Sequence, residues 1–114
     1  MPITNTNVTI MVKDMDRSVS FYQAIGFSLV NRWGDYYAQL QAPGIIIGLH
    51  PANQEYTGSG NTSLGFTTDN FEKISVLLKK LSIKAEPRVE EGGQFIHFED
   101  PDGTLLYFVK PKNG

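Results

Sequence analysis

Residues 98–109 have the sequence FEDPDGTLLYFV, and this stretch decides the fold. Its segment Asp100-Pro101-Asp102-Gly103 predicts a tight turn, because proline presets φ, aspartate side chains bond nearby backbone N–H groups and glycine accepts a positive φ. The residues before the turn alternate between apolar and polar types, as in a strand with one buried face. Residues 104–109 are almost all apolar, which predicts a second strand that is buried on both faces. The stretch therefore predicts a β-hairpin.

Length and composition are those of an ordinary globular domain. The chain has 114 residues, 40% hydrophobic and 19% charged, so we expect one domain over residues 1–114. The net charge of −2 predicts no nucleic-acid partner, because phosphate binding requires clustered lysine and arginine. The absence of cysteine excludes disulfides, thiolate nucleophiles and cysteine-ligated zinc. No apolar run approaches the roughly 18 residues of a transmembrane helix, so we expect no membrane partner and a cytoplasmic protein.

The first half of the chain predicts a βαβββ order. Residues 7–12 alternate with a period of two, as a strand does. A helix follows, with Asp14 or Asp16 as its N-cap and Gly26 at its end. Three further strands are predicted over residues 27–33, 36–41 and 45–50.

The second half repeats this order. Residues 63–68 match residues 7–12 position for position, and GTLLYF at 103–108 matches GIIIGL at 44–49. A helix is predicted over residues 71–81, with Asp69 or Asn70 as its N-cap, and Glu72 would complete a capping box with Asp69. Strands are predicted over residues 83–89, 94–99 and 104–109. The chain is therefore predicted to hold two modules, residues 6–50 and 62–109, joined by a polar linker at 51–61.

Two motifs within this order resemble the vicinal oxygen chelate superfamily, which includes glyoxalases, bleomycin-resistance proteins and extradiol dioxygenases. They are VKDMDRSVSFY at residues 12–22, followed by Gly26-Phe27, and FEDPDG at residues 98–103. The resemblance implies an α+β fold in which two βαβββ modules with mixed, curved sheets form an open cup. It also implies a homodimer.

Many members of the superfamily hold a divalent metal at four equivalent strand positions. The resemblance places these positions at Asn7, Gly48, Ser63 and Tyr107, and none of them is a histidine or a carboxylate. Such a set lacks the charge and the donors that divalent metals prefer. We therefore predict no metal site and no cofactor, which argues against glyoxalase, dioxygenase and fosfomycin-transferase chemistry.

The same resemblance predicts which side chains line the cup. His97 is the one candidate catalytic residue, and a hydrogen-bonded strand histidine is the alternative. The aromatic strand residues line the cup or belong to the core. The predicted ligand-binding residues are Asn7, Thr9, Trp33, Gly48, Ser63, Phe95, His97 and Tyr107.

Three functions remain open at this point. The first is metal-free binding of a small aromatic or amphipathic molecule in the cup, for which bleomycin-resistance proteins are the precedent in the family. The second is an enzyme, either a lyase or isomerase of glyoxalase type with His97 or Tyr107 as acid or base, or a dioxygenase-type metal enzyme with atypical ligands. The third is a regulatory or interaction module whose cup is vestigial and filled by its own side chains.

Overall fold

The computed structural model of the chain describes residues 6–52 and 62–112. Contacts divide the chain into two compact units, Met1–Gly58 and Ser59–Gly114. The first unit contains the strands and helix β1 Val8–Val12, α1 Met15–Ala24, β2 Ser28–Trp33, β3 Tyr37–Ala42 and β4 Ile45–Pro51. The second contains β5 Ser63–Thr67, α2 Phe71–Lys80, β6 Glu86–Glu90, β7 Gly93–Glu99 and β8 Leu105–Pro111. Pro51 ends β4, and most of the predicted linker, residues 53–61, lies outside the described residues.

Both units have the predicted βαβββ order and the same sheet topology. The strand order is β1-β4-β3-β2 in the first sheet and β5-β8-β7-β6 in the second. The first pair of each order is parallel and the other pairs are antiparallel, so both sheets are mixed, as predicted. Thr9 pairs with Gly48, and at the matching position Gly65 pairs with Tyr107. The internal repeat therefore extends from the order of the strands to their register, and the predicted α+β class is confirmed.

Each module buries the sheet face that carries its largest aliphatic side chains. In the first module Leu40, Ile47 and Leu49 are completely buried, together with Tyr22 of α1. In the second module Leu78 of α2 is completely buried, and Ile96, Phe98, Leu106 and Phe108 are at most 7% exposed. Burying one such side chain contributes about 1.5–3 kcal/mol. The core of each module thus lies on the helix side of its sheet.

The sequence left the N-cap of each helix open, and the structure selects one residue in each case. The carboxylate of Asp14 accepts from the backbone N–H of Arg17 and begins α1. The side chain of Asn70, rather than Asp69, accepts from the N–H of Lys73 and begins α2. With Asn70 as the cap, Glu72 is one position short of the place that a capping box requires, so that motif does not form.

Both helices end in a left-handed residue. Gly26, with φ of 125°, follows α1, and the N–H of Phe27 donates to the carbonyl of Tyr22. Ser82, with φ of 57°, follows α2, and the N–H of Ile83 donates to the carbonyl of Leu78. These bonds are those of the Schellman motif. In the second motif the backbone N–H of Ile83 is used to close the helix, so the next strand begins at Glu86 and not at residue 83 as predicted.

The predicted Asp-Pro-Asp-Gly turn joins β7 and β8 into an antiparallel hairpin. Oδ1 of the buried Asp100 accepts from the N–H groups of Asp102 at 2.9 Å and Thr104 at 2.8 Å. Gly103 takes the positive φ, 88°. One expectation is wrong. The strand β8 is not buried on both faces, because α2 covers one side of this sheet and Leu105 on the other side is 42% exposed.

Candidate ligand-binding site

Each sheet has a far face, which we define as the side turned away from the helix of its module. On the first sheet, the residues of the far face alternate along the strands with the buried core residues. The far face of the first sheet carries Asn7, Thr9, Met11, Asn31, Trp33, Tyr37, Gln39, Gln41, Ile46, Gly48 and His50. The four residues predicted to bind ligand in this module, Asn7, Thr9, Trp33 and Gly48, therefore share one surface.

A tyrosine ring covers Gly48 at the centre of this surface. A Cβ atom added to Gly48 would lie 2.7 Å from Cζ and 2.9 Å from Cε1 of Tyr37, and still closer to the hydroxyl. Such distances are far below van der Waals contact, so a side chain at position 48 would displace the ring. The ring of Trp33 lies beside Tyr37, with centroids 5.8 Å apart and an interplanar angle of 35°. The two rings form an aromatic corner next to Gly48.

Three rings form a cluster on the far face of the second sheet. The ring centroids are 6.2 Å apart for Phe95 and His97, 6.1 Å for Phe95 and Tyr107, and 5.7 Å for His97 and Tyr107. All three side chains are half-buried. Such separations are typical of aromatic pairs that attract each other. We call Phe95, His97 and Tyr107 the three-ring cluster.

The three-ring cluster has a small-residue strand on one side and a charged strand on the other. The ring of Tyr107 covers Gly65 of β5, where an added Cβ would lie 2.7 Å from Cε2. Ser63, the fourth predicted residue of this module, lies on β5 with the same facing as Gly65. On the other side Glu86 pairs with His97 and Arg88 with Phe95. The side chains of Glu86 and Arg88 form an ion pair at 3.4 Å.

An arginine fixes the β2–β3 turn next to the aromatic corner. Nε of Arg32 donates to the carbonyl of Gly34 at 2.8 Å, and its terminal nitrogen binds Asp16 at 2.6 Å and Asp35 at 3.1 Å. Asp16 lies in the first turn of α1, so these contacts join the hairpin to the helix. The hydrogen bond that Arg32 donates to the Asp16 carboxylate is the main reason why the pKa of Arg32 is raised.

A cavity of ≈ 500 Å³ lies at one end of the far face of the first sheet. Its lining includes the polar side chains of Asn7 and Gln41 and the aliphatic side chain of Ile46. Ile46 is 45% exposed, which leaves apolar surface available in this cavity. Asn7 is therefore placed beside space that a small molecule could fill.

The four positions implied for a metal do not offer suitable donors. Position 48 lacks a side chain and is covered by Tyr37, and the Tyr107 ring lies against Gly65. Asn7 and Ser63 supply neutral oxygens, which are weak partners for a divalent ion without carboxylates or imidazoles. Among the described residues, no group of three His, Cys, Asp or Glu side chains could hold a metal. No helix in the described ranges is long and apolar enough to cross a membrane.

Two residues that shape these faces, Tyr37 and Gly65, are absent from the predicted ligand-binding set. A signal for both was available in the sequence, because a glycine inside a strand often marks a close approach by another group. Gly48 stands in a run of isoleucines and leucine, and Gly65 stands between Leu64 and Phe66. Which ring approaches each glycine depends on the register of the paired strands, and for Gly65 these strands, β5 and β8, are distant in sequence.

A family model described as the Glyoxalase/Bleomycin resistance protein/Dioxygenase superfamily matches residues 6–108. The chain belongs to this superfamily. The match spans both modules and confirms the resemblance seen in the two motifs at residues 12–22 and 98–103. No curated protein sequence matches the chain.

Solved structures of the superfamily share the fold at low sequence identity. TnmS3, an antibiotic binding protein from Streptomyces sp. CB03234, is 21% identical with a TM-score of 0.79, and the match covers 98% of this chain and 99% of that one. A bleomycin-binding protein complexed with bleomycin is 20% identical with a TM-score of 0.71, covering 96% and 100%. The fosfomycin resistance protein FosX from Mesorhizobium loti is 18% identical with a TM-score of 0.78, covering 98% and 95%.

Proposed function

We propose that this protein binds a small aromatic or amphipathic molecule on the far faces of its sheets, without a metal. The three-ring cluster of Phe95, His97 and Tyr107 is the observation that carries the proposal. Its half-buried rings offer apolar contact area, and the imidazole and the phenol offer hydrogen bonds. Ligand sites combine these two properties, a mostly apolar lining and a few placed polar groups.

Among the eight predicted residues, some supply apolar ring contacts and others supply hydrogen bonds. Trp33, Phe95, His97 and Tyr107 supply rings, whereas Asn7, Thr9 and Ser63 supply short polar groups and Gly48 supplies space for a neighbouring ring. Two relatives support the ligand class, because one is an antibiotic binding protein and another is complexed with bleomycin. We further propose the homodimer that the family resemblance implies and the cytoplasmic location that the sequence predicts. Light scattering on the purified protein measures the oligomeric state.

Calorimetric titration with a panel of aromatic and amphipathic compounds tests the proposal. Tyr107→Ala should weaken an aromatic ligand by about 1 to 3 kcal/mol through lost contact area. His97→Ala should also weaken the ligand, because the variant loses both the ring contact and the hydrogen-bonding nitrogens of the imidazole. Tyr36→Ala is the matched control, because this tyrosine is 81% exposed in the β2–β3 turn. Ligands that bind the wild type and both site variants equally well would place the site elsewhere.

Metal independence has its own test. The donor set at Asn7, Gly48, Ser63 and Tyr107 predicts that purified protein holds no stoichiometric Ni, Zn, Fe or Mn there. A metal bound to the folded state alone would raise the melting temperature. We therefore expect a chelator to leave that temperature unchanged. Stoichiometric metal in elemental analysis that disappears in Tyr107→Ala or Asn7→Ala would contradict this expectation.

Two alternatives each rest on one observation. The lyase or isomerase alternative gains from His97 and Tyr107, two groups able to transfer protons, whose rings lie 5.7 Å apart. Product formation from a bound ligand, lost in His97→Ala, would establish it. The vestigial alternative gains from the tyrosine rings that cover Gly48 and Gly65. Failure of every compound in the panel to saturate the protein would favour it over binding.

A further inference from the structure

The far face of the first sheet carries a row of uncharged polar side chains. Strand register places Thr9 beside Gly48, Gly48 beside Gln39, and Gln39 beside Asn31, so three strands contribute polar side chains and β4 contributes the glycine between Thr9 and Gln39. Gln39 is half-buried. The side-chain amides of Gln39 and Asn31 make no hydrogen bond among the described residues. An amide presents both a donor and an acceptor. The row can therefore pair with a ligand group that also presents both.

The aromatic corner stands directly beside this row. Trp33 follows Asn31 by two positions on β2, and Tyr37 precedes Gln39 by two positions on β3, so the rings and the amides have the same facing. Two strand residues span about 7 Å, which is the size of a small aromatic ring with one substituent. Trp33 is 52% exposed, so its ring has surface left for stacking.

Charge is nearly absent from these strands. Within the described strands of the first module, Arg32 is the one Asp, Glu, Lys or Arg residue. Its guanidinium is already held by Asp16, Asp35 and the carbonyl of Gly34. A carboxylate or ammonium placed on the row would lose water without gaining a counter-ion, which is costly. An uncharged group avoids that cost.

We propose that the far face of the first sheet selects planar aromatic carboxamides over the corresponding acids and amines. The aromatic ring stacks on Trp33 and Tyr37, and the carboxamide pairs with Gln39 and Asn31. Arg32 is a positioning residue, which holds the turn that carries Trp33. This inference rests on the proposed function and adds to it the chemical class of the ligand.

Trp33 makes the test specific, because it is the only tryptophan in the sequence. Its indole N–H gives one resonance in the ¹H–¹⁵N spectrum, and titration of the full chain follows that resonance. The probes are 2-naphthamide, 2-naphthoate and 2-naphthylmethylammonium, which share a ring system and differ in charge. We expect 2-naphthamide to shift the resonance saturably and to bind at least about tenfold more tightly than either charged probe.

A matched pair of variants tests the amide contact. Gln39→Met keeps the length of the side chain and removes its hydrogen bonds, and should weaken 2-naphthamide about tenfold. Gln23→Met makes the same change on the exposed surface of α1 and should leave the affinity unchanged. Arg32→Lys should keep the fold and broaden or shift the free indole resonance, because lysine cannot reproduce the fork of contacts.

The outcomes separate this inference from the proposed function. If the anion or the cation binds as tightly as the amide, the assignment of ligand class is overturned, whereas binding of aromatic molecules stands. If Gln39→Met and Gln23→Met behave alike, the amide row does not contact the ligand. If no probe moves the Trp33 resonance while the calorimetric panel still finds a ligand sensitive to Tyr107→Ala, the inference fails and the proposed function survives. Loss of both signals overturns both.

Discussion

Gly48→Ala tests the close contact between Tyr37 and β4. The added methyl carbon would lie 2.7 Å from Cζ of Tyr37, which is closer than two non-bonded carbon atoms can approach. The backbone of β4 is fixed by pairing on both sides, with β1 and β3, whereas the tyrosine ring ends a flexible side chain. The ring is therefore the part that must move, and Trp33 loses its neighbour.

Two opposing contributions to the free energy of unfolding, overpacking and the loss of a strand glycine, set the size of the change caused by Gly48→Ala. Overpacking costs about 1–3 kcal/mol, so Gly48→Ala should destabilise the wild type by that amount. In a Tyr37→Ala background the methyl group meets no ring, and replacing a strand glycine with alanine then gains about 0.5–1 kcal/mol. The double-mutant cycle should therefore give a coupling energy of about 1.5 to 4 kcal/mol between Gly48 and Tyr37.

Urea unfolding of the four proteins in the cycle, followed by far-UV circular dichroism, measures the coupling. The control cycle uses Tyr36→Ala in place of Tyr37→Ala. Tyr36 is the adjacent tyrosine, is 81% exposed and should show no coupling with Gly48. A cost for Gly48→Ala that is equal in the presence and absence of the Tyr37 ring would refute the reasoning.

Two further predictions use the same unfolding assay. Asp100→Ala should cost about 2 to 4 kcal/mol, because two buried N–H groups lose a charged acceptor, and Asp100→Asn should cost less because it keeps an acceptor oxygen. An equal cost for both variants would contradict this account. Ser82→Gly should stabilise the protein by about 1 kcal/mol, since Ser82 has φ of 57° where glycine is unstrained. Loss of stability in this variant would show that the serine side chain outweighs the strain.

Local signals in the sequence were sufficient for the fold. The match between residues 7–12 and 63–68 predicted two modules, and the structure gives them the same topology and register. The turn at Asp100 carries its own chemistry and formed as predicted. The misplaced start of β6 came from the end of α2, where a serine takes a left-handed conformation that sequence rules reserve for glycine.

The candidate site was less predictable, because its contacts depend on the register of paired strands and on side-chain rotamers. Alternation predicts the sheet face of Thr9 and His97, whereas the family resemblance predicts that of Tyr107. Alternation does not say where a long side chain leans. Tyr37 leans across to Gly48, and Tyr107 leans onto Gly65 of β5, and both contacts depend on rotamers that only the paired strands define.

The shared register has a consequence for how the two modules came to differ. Positions that pack on the helix remain large and apolar in both copies, as in the pairs Ile47 and Leu106, Leu49 and Phe108, and Leu40 and Phe98. Positions on the far faces differ in chemical type, as in the pairs Gly48 and Tyr107, and Gln39 and His97. A duplicated unit thus diversifies on one surface while the other preserves the scaffold. The far face of the first sheet carries amides beside the aromatic corner, and that of the second carries the three-ring cluster, so either face can change without disturbing the core.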